Sequence, residues 1–154
     1  MNTIAPAIDT SSVNILHALL RGEISAIETY SLALKKFTNE TATTLLDGLR
    51  EEHRRNAAVL RRTLLGCGVE PVTASGMWRD FAATVEGVAL MLGESPALLI
   101  LLSGEEHGIC RYEDALLCPT LCNDAKTVIR RELLPLLHRH VLELKRHRDI
   151  ISRN

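Results

Sequence analysis

Aromatic side chains are scarce in this 154-residue chain, at 3% of the total. That shortage disfavours an aromatic-rich β-sandwich and a base-stacking surface, since both depend on flat, rigid rings. Charge of one sign is lacking too. The formal net charge is -1, without the electrostatic field of a dedicated nucleic-acid binder, so no nucleic-acid partner is expected. No apolar run approaches the ~20 residues of a membrane span, and the longest, Pro96 to Leu102, reads as buried helix. No membrane association is expected. The start, Met1 to Pro6, has neither the basic nor the apolar region of a secretory signal. The four cysteines, Cys67, Cys110, Cys118 and Cys122, form no paired zinc spacing. A reducing, cytoplasmic setting is the expectation. Cys118 and Cys122 form a lone C-x3-C in a turn, a spacing more often incidental than metal-binding. No glycine-rich phosphate loop follows a strand, and no nucleophile elbow can be placed.

What is present is helical periodicity. Apolar residues recur at intervals of three and four, while alternation of period two never lasts a strand's length, so the fold class is all-α. Helix 1 is expected to start near Asp9 to Ser12 and run to about Phe37, and Thr38 to Thr41 supply a turn and a new cap. Helix 2 follows from about Ala42 to Leu65, stopped by Gly66 to Pro71, because glycine accepts a left-handed C-terminal conformation and proline cannot continue the ladder. Between Pro71 and Gly93 lies a long crossover with a short amphipathic helix over Met77 to Leu92, Trp78 and Phe81 inward. Ser95 caps helix 3 with Pro96 at its first position, and Pro119 stops it after Leu117. Asn123 or Asp124 caps helix 4, which Pro135 should kink before it ends near Ile151. Two hairpins joined by one long link make a four-helix bundle with a single crossover, residues 13–154, behind an N-terminal segment 1–12.

The chain also repeats itself. Shifting helix 1 by 82 residues lays Leu16, Leu20, Glu23, Ile27, Tyr30 and Leu34 on Leu98, Leu102, Glu105, Ile109, Tyr112 and Leu116, and all six types agree. Helices 2 and 4 carry a looser version, shifted by 87: Leu46, Leu49, His53, Asn56 and Leu60 on Leu133, Leu136, His140, Glu143 and His147. Antiparallel pairing sets Glu23 level with the turn from His53 to Asn56, and Glu105 level with His140 and Glu143. A carboxylate among apolar neighbours costs enough to demand a partner. A cation held by inward carboxylates and imidazoles is one answer, and iron or manganese suits that nitrogen and oxygen mixture. On this reading Glu23, His53, Glu105, His140 and Glu143 are ligands, with Tyr30, Asn56, Tyr112 and His147 orienting them. A metal-free hydrogen-bonded network of the same groups is the other answer.

Leu20 to Tyr30, with Gly22-Glu23 and Ile27 at its centre, is similar to the first-helix signature of bacterioferritins, whose glutamate ligates iron. From about Val13 onward the chain resembles an uncharacterised bacterial family of ferritin-like four-helix-bundle proteins, through its Gly68 to Pro71 turn, the Ser75 to Trp78 stretch, Glu105 to Tyr112 and the histidine-rich end of helix 4. The resemblance implies the ferritin-like fold and an ancestral metal site rather than a known activity; metal handling or stress response is the process that the metal-binding reading suggests. The catalytic members carry Glu-x-x-His on helices 2 and 4, whereas Arg50 and Leu137 stand at the glutamate positions here. A di-iron centre would lack its bridges. The alternative is a non-enzymatic helical scaffold acting through its surface, and either reading suits a homodimer, since small bundles commonly bury an outer apolar face in a symmetric partner. Glu51, Glu106 and His107 are expected in solvent or at an interface, and the basic run Lys145 to Arg148, with Arg139, is expected to complement the helix dipole.

Overall fold

The computed structural model describes residues 9–76 and 93–153. Within them the chain is all-helical, as its periodicity predicts, with no strand among the described residues. The crossover helix expected over 77–92, with Trp78 and Phe81, lies outside the described residues.

Helix α1 spans Thr10–Leu34 and is capped by Asp9, whose carboxylate accepts from the backbone N–H of Ser11 at 2.8 Å and of Ser12 at 3.1 Å. It ends three residues short of the expected Phe37, because Lys35 and Lys36 close a turn onto Leu32 and Ala33. Helix α2 spans Glu40–Gly66 and takes its cap from Asn39, which accepts from the Ala42 N–H at 3.0 Å. Its end is a Schellman motif: Gly68 adopts φ 73°, the Val69 N–H donates to the Leu64 carbonyl and the Gly68 N–H to Leu65.

Helix α3 spans Glu94–Leu117 and corrects the expected cap. Its N-cap is Gly93, at φ 91°, and Ser95 lies inside the first turn rather than ahead of it. Glu94 faces the other way. Its carboxylate accepts from the N–H groups of Thr38 and Asn39, at 2.6 and 3.2 Å, and so fastens the start of the second hairpin to the turn of the first. Neither Asn123 nor Asp124 caps the last rod: Cys122 holds that position without a side-chain hydrogen bond, and both residues are already helical. That rod runs as α4 (Asn123–Val128), a π-helical turn (Ile129–Leu133) and α5 (Leu134–Ile151). The irregularity comes where Pro135 predicts one. Proline has no N–H for the helical ladder and its ring crowds the preceding turn; one turn earlier the helix widens, and the Leu134 N–H donates to the Ile129 carbonyl five residues back.

The apolar seam closes the bundle. Leu16, Leu20, Leu46, Leu49, Leu60, Leu98, Leu133 and Leu144 are nearly inaccessible, and the seam lies where the repeat places it on α2, and on α1 and α3 apart from Ile27, Leu34 and Leu116, which are only partly buried. On α5 the buried ridge is Leu137, His140, Leu144 and His147. Leu136 and Glu143 stand at its edge, only partly buried. The ridge that buries two leucines wins over the one that would bury a leucine and a glutamate. Close approach of α3 to α5 falls at Gly108, where an added Cβ would stand 3.0 Å from Leu137 Cδ2. No helix among the described residues is long and apolar enough to cross a membrane.

Candidate metal centre

The amphipathic seams carry four ionisable groups into the middle of the bundle. Glu23, His53, Glu105 and His140, one from each rod, are 3%, 3%, 4% and 0% exposed. His53 stands between two carboxylates: Nδ1 is 2.6 Å from Glu23 Oε2, and Nε2 is 2.9 Å from Glu105 Oε1. His140 is bracketed in the same way, with Nδ1 3.3 Å from Glu105 Oε2 and Nε2 2.7 Å from Glu52 Oε2. The two rings meet edge to face with centroids 4.9 Å apart, and Tyr30 stacks on His53 at 5.4 Å.

The tyrosines cross over. Tyr30 of α1 donates its hydroxyl to Glu105 of α3, and Tyr112 of α3 donates to Glu23 of α1, both at 2.5 Å. These are the groups that the shift of 82 residues interchanges, so the repeat has become a local two-fold relation in space. Residues near such an axis meet their own counterparts. His53 touches His140, and Glu52 meets Arg139, its mate under the shift of 87, at 2.5 Å.

Burial disfavours charge on His53, but the charges of Glu105 and Glu23 and the hydrogen bonds to them outweigh it and push its pKa up to about 10. Burial likewise pushes Glu105 up, and the charge of His53 together with hydrogen bonds from both imidazoles holds it far below the usual carboxylate range. Both tyrosine hydroxyls are driven well above their ordinary value, by burial first and then by the adjacent carboxylate, so they remain donors. Glu52, which burial pushes up, is held low by hydrogen bonds from Arg139 and His140.

Among the expected ligands, the structure brings together Glu23, His53, Glu105 and His140. It does not bring Glu143, which is part-exposed and pairs with Arg139 at 3.5 Å, near enough only for its charge to reach the Tyr30 hydroxyl. The slip of the buried ridge to Leu137 and Leu144 turns that side chain outward. Tyr30 reaches Glu105, and Tyr112 and Asn56 reach Glu23, the Asn56 amide at 3.4 Å. His147 is buried, but its Nε2 has no hydrogen-bond partner and no contact among the described residues joins it to the cluster. Arg50 turns away from the cluster to Asp47 at 2.5 Å. Within the basic run, Lys145 pairs with Glu106 at 3.2 Å. Glu52 is the residue that reading the sequence missed. Its signal was the tripeptide Glu51-Glu52-His53, in which Glu51 pairs outward with Arg54 and Glu52 turns in toward His140.

Ligand atoms of His53, Glu105 and His140 all lie within 4.8 Å of one another, close enough to share one ion. No protein-family model, curated protein or solved structure matches this chain. The chemistry is therefore read from the cluster alone.

Proposed function

We propose that the bundle binds one divalent transition-metal ion, iron or manganese, between His53 Nε2, His140 Nδ1 and Glu105. The observation that carries this reading is the disposition of the outer nitrogens. Each imidazole turns one nitrogen toward Glu105 and gives the other to a separate carboxylate, Glu23 at 2.6 Å for His53 and Glu52 at 2.7 Å for His140. A metal-bound histidine characteristically has its second nitrogen held in this way, which fixes the tautomer and raises the basicity of the ligating atom. Two imidazoles and one carboxylate form a donor set suited to iron(II), with room for further ligands, and such an ion supplies one-electron redox chemistry at its open positions. Glu23, expected as a ligand, is assigned here to orienting His53.

The fold this reading invokes is the ferritin-like one, altered from a two-metal to a one-metal plan. Under the local two-fold relation a second site would need a counterpart of Glu52, and the chain has Arg139 there. Binding requires His53 to surrender a proton that two carboxylates hold, so metal uptake releases protons and strengthens with rising pH.

Elemental analysis of tag-free protein, offered iron(II) and manganese(II) with and without air, tests the proposal. About one equivalent per chain is expected, lost in Glu105→Gln and kept in Glu143→Gln. Absence of metal under every condition would overturn it and favour the second reading, a metal-free scaffold. That reading has its own support, since Glu105 and Glu23 already accept hydrogen bonds from a tyrosine and from imidazole.

A further inference from the structure

A hollow borders the cluster between α1 and α3. It is a cavity of about 80 Å³ with largely hydrocarbon walls, among them Leu19, Ala26, Leu101 and Leu137, and it ends against the cluster itself, at Glu23, Glu105, Tyr30, Tyr112 and His53. Gly22 faces it, and a Cβ added there would find no atom within 4 Å. A wider, more polar groove of about 570 Å³ lies along the same helix pair, between Ser11 and Asn14 of α1 and Asp114 of α3. Ala18, Leu19 and Arg111 line both spaces, so the groove and the cavity adjoin at these residues. Glu52 and Arg139 line neither.

The chemistry changes along this passage. The side walls of the cavity offer hydrocarbon, and the polar groups at its inner end are hydrogen-bonded to one another, so it suits an apolar group rather than an ion. At the junction stands Arg111, an exposed guanidinium without a hydrogen bond or ion pair among the described residues, although Asp114 sits one helical turn away in the same groove. An engineered dry cavity of about 150 Å³ admits benzene, so the inner space takes a smaller body, a chain of a few carbons.

We propose that the α1–α3 seam binds a small amphipathic monocarboxylate, its alkyl chain filling the inner cavity and its carboxylate held by Arg111 at the mouth. The proposal stands apart from metal binding. Chelator is present throughout its test, so failure of one leaves the other standing.

The test is a titration of the whole protein with straight-chain carboxylates from acetate to decanoate, followed by amide chemical shifts. Burying each methylene should tighten binding about fourfold until the cavity is full, after which affinity should level off. Gly22→Leu, whose Cβ meets no atom within 4 Å, should remove the chain-length dependence, and Gly22→Ala should bring the plateau to a shorter chain. Arg111→Gln should weaken the carboxylates about tenfold and leave the matching alcohols unchanged. Three results would overturn the proposal: no dependence on chain length in the wild type, dependence that persists in both Gly22 variants, or equal losses for carboxylate and alcohol in Arg111→Gln.

Discussion

Raising the pH above neutrality should loosen this protein through one imidazole. His53 titrates at about 10 in the folded chain against 6.5 for the ordinary side chain. Below 6.5 the ring is charged in both states, and its attraction to Glu23 and Glu105 contributes in full. Between 6.5 and 10 the unfolded chain has lost a proton that the folded chain keeps. Unfolding then releases one proton, stability falls about tenfold per pH unit, and the contribution is gone once the pH passes 10. From pH 6.5 to 8.5 the loss is about 2 kcal/mol, a sizeable part of a typical domain's stability. Glu105 acts at the other end: held low in the fold, it contributes above the ordinary value of 4.5 and loses that contribution as the pH falls toward its folded pKa. Maximum stability is expected between these limits, near pH 5 to 6. Urea denaturation in chelator at half-unit intervals measures the slope, and an NMR titration of the His53 ring follows its cause directly. A ring that titrates near 6.5 in the folded protein, or a midpoint that is flat from pH 6.5 to 8.5, would refute the reasoning.

Three further outcomes follow from the same contacts. Gly22→Ala should stabilise by up to about 1 kcal/mol, since alanine favours helix and nothing stands within 4 Å, whereas Gly108→Ala should destabilise by about 1 to 2 kcal/mol against the buried Leu137; paired thermal melts decide the sign of each. Arg139→Gln should move the Glu52 carboxyl pKa upward, visible in a carbon-13 carboxyl titration, because the guanidinium is among the groups that hold it low. Tyr30→Phe and Tyr112→Phe should each cost about 1 to 3 kcal/mol by leaving a buried carboxylate short of a donor. Their double variant should depart from additivity by at least about 0.5 kcal/mol, because the two carboxylates bind the same imidazole. Strict additivity in denaturation measurements would deny that link.

Much of this arrangement was legible in the sequence because the repeat carries it. Six matching seam positions on helices 1 and 3 mark Glu23, Tyr30, Glu105 and Tyr112 as inward, and antiparallel pairing sets His53 and Asn56 level with Glu23. Helix ends were legible where one residue's conformation decides them, as at Gly68. They were misread where a side chain had a competing partner or the neighbouring turn took its place: Glu94 turns to Thr38 and Asn39, and Gly93 supplies the cap expected of Ser95. The phase of α5 was not legible, since spacings of three then four and of four then three both pass through His140. Only the relative gain from burying Leu144 or Glu143 chooses between them. Glu52 was hidden for a related reason. It lies beside the seam rather than on it, and it reaches the cluster only because Arg139 and His140 approach from the facing helix.

The departures from the repeat say more about chemistry than the repeat itself. Where the halves agree, the structure pairs Glu23 with Tyr112 and Glu105 with Tyr30, an exchange that gives both carboxylates the same support. If symmetry were complete, both carboxylates would have the same access to an ion. The pair on the axis breaks it, since position 52 is acidic and its counterpart at 139 is basic. That pair forms an ion bridge rather than a like-charge clash, and it commits Glu52 to His140. With no counterpart of Glu52 available to it, His53 turns its outer nitrogen to Glu23, and Glu105 is left facing both rings. One change of charge at the axis thus converts two equivalent carboxylates into one candidate ligand and one orienting group. For that reason the one-ion stoichiometry is a sharper test of this chain than the presence of metal.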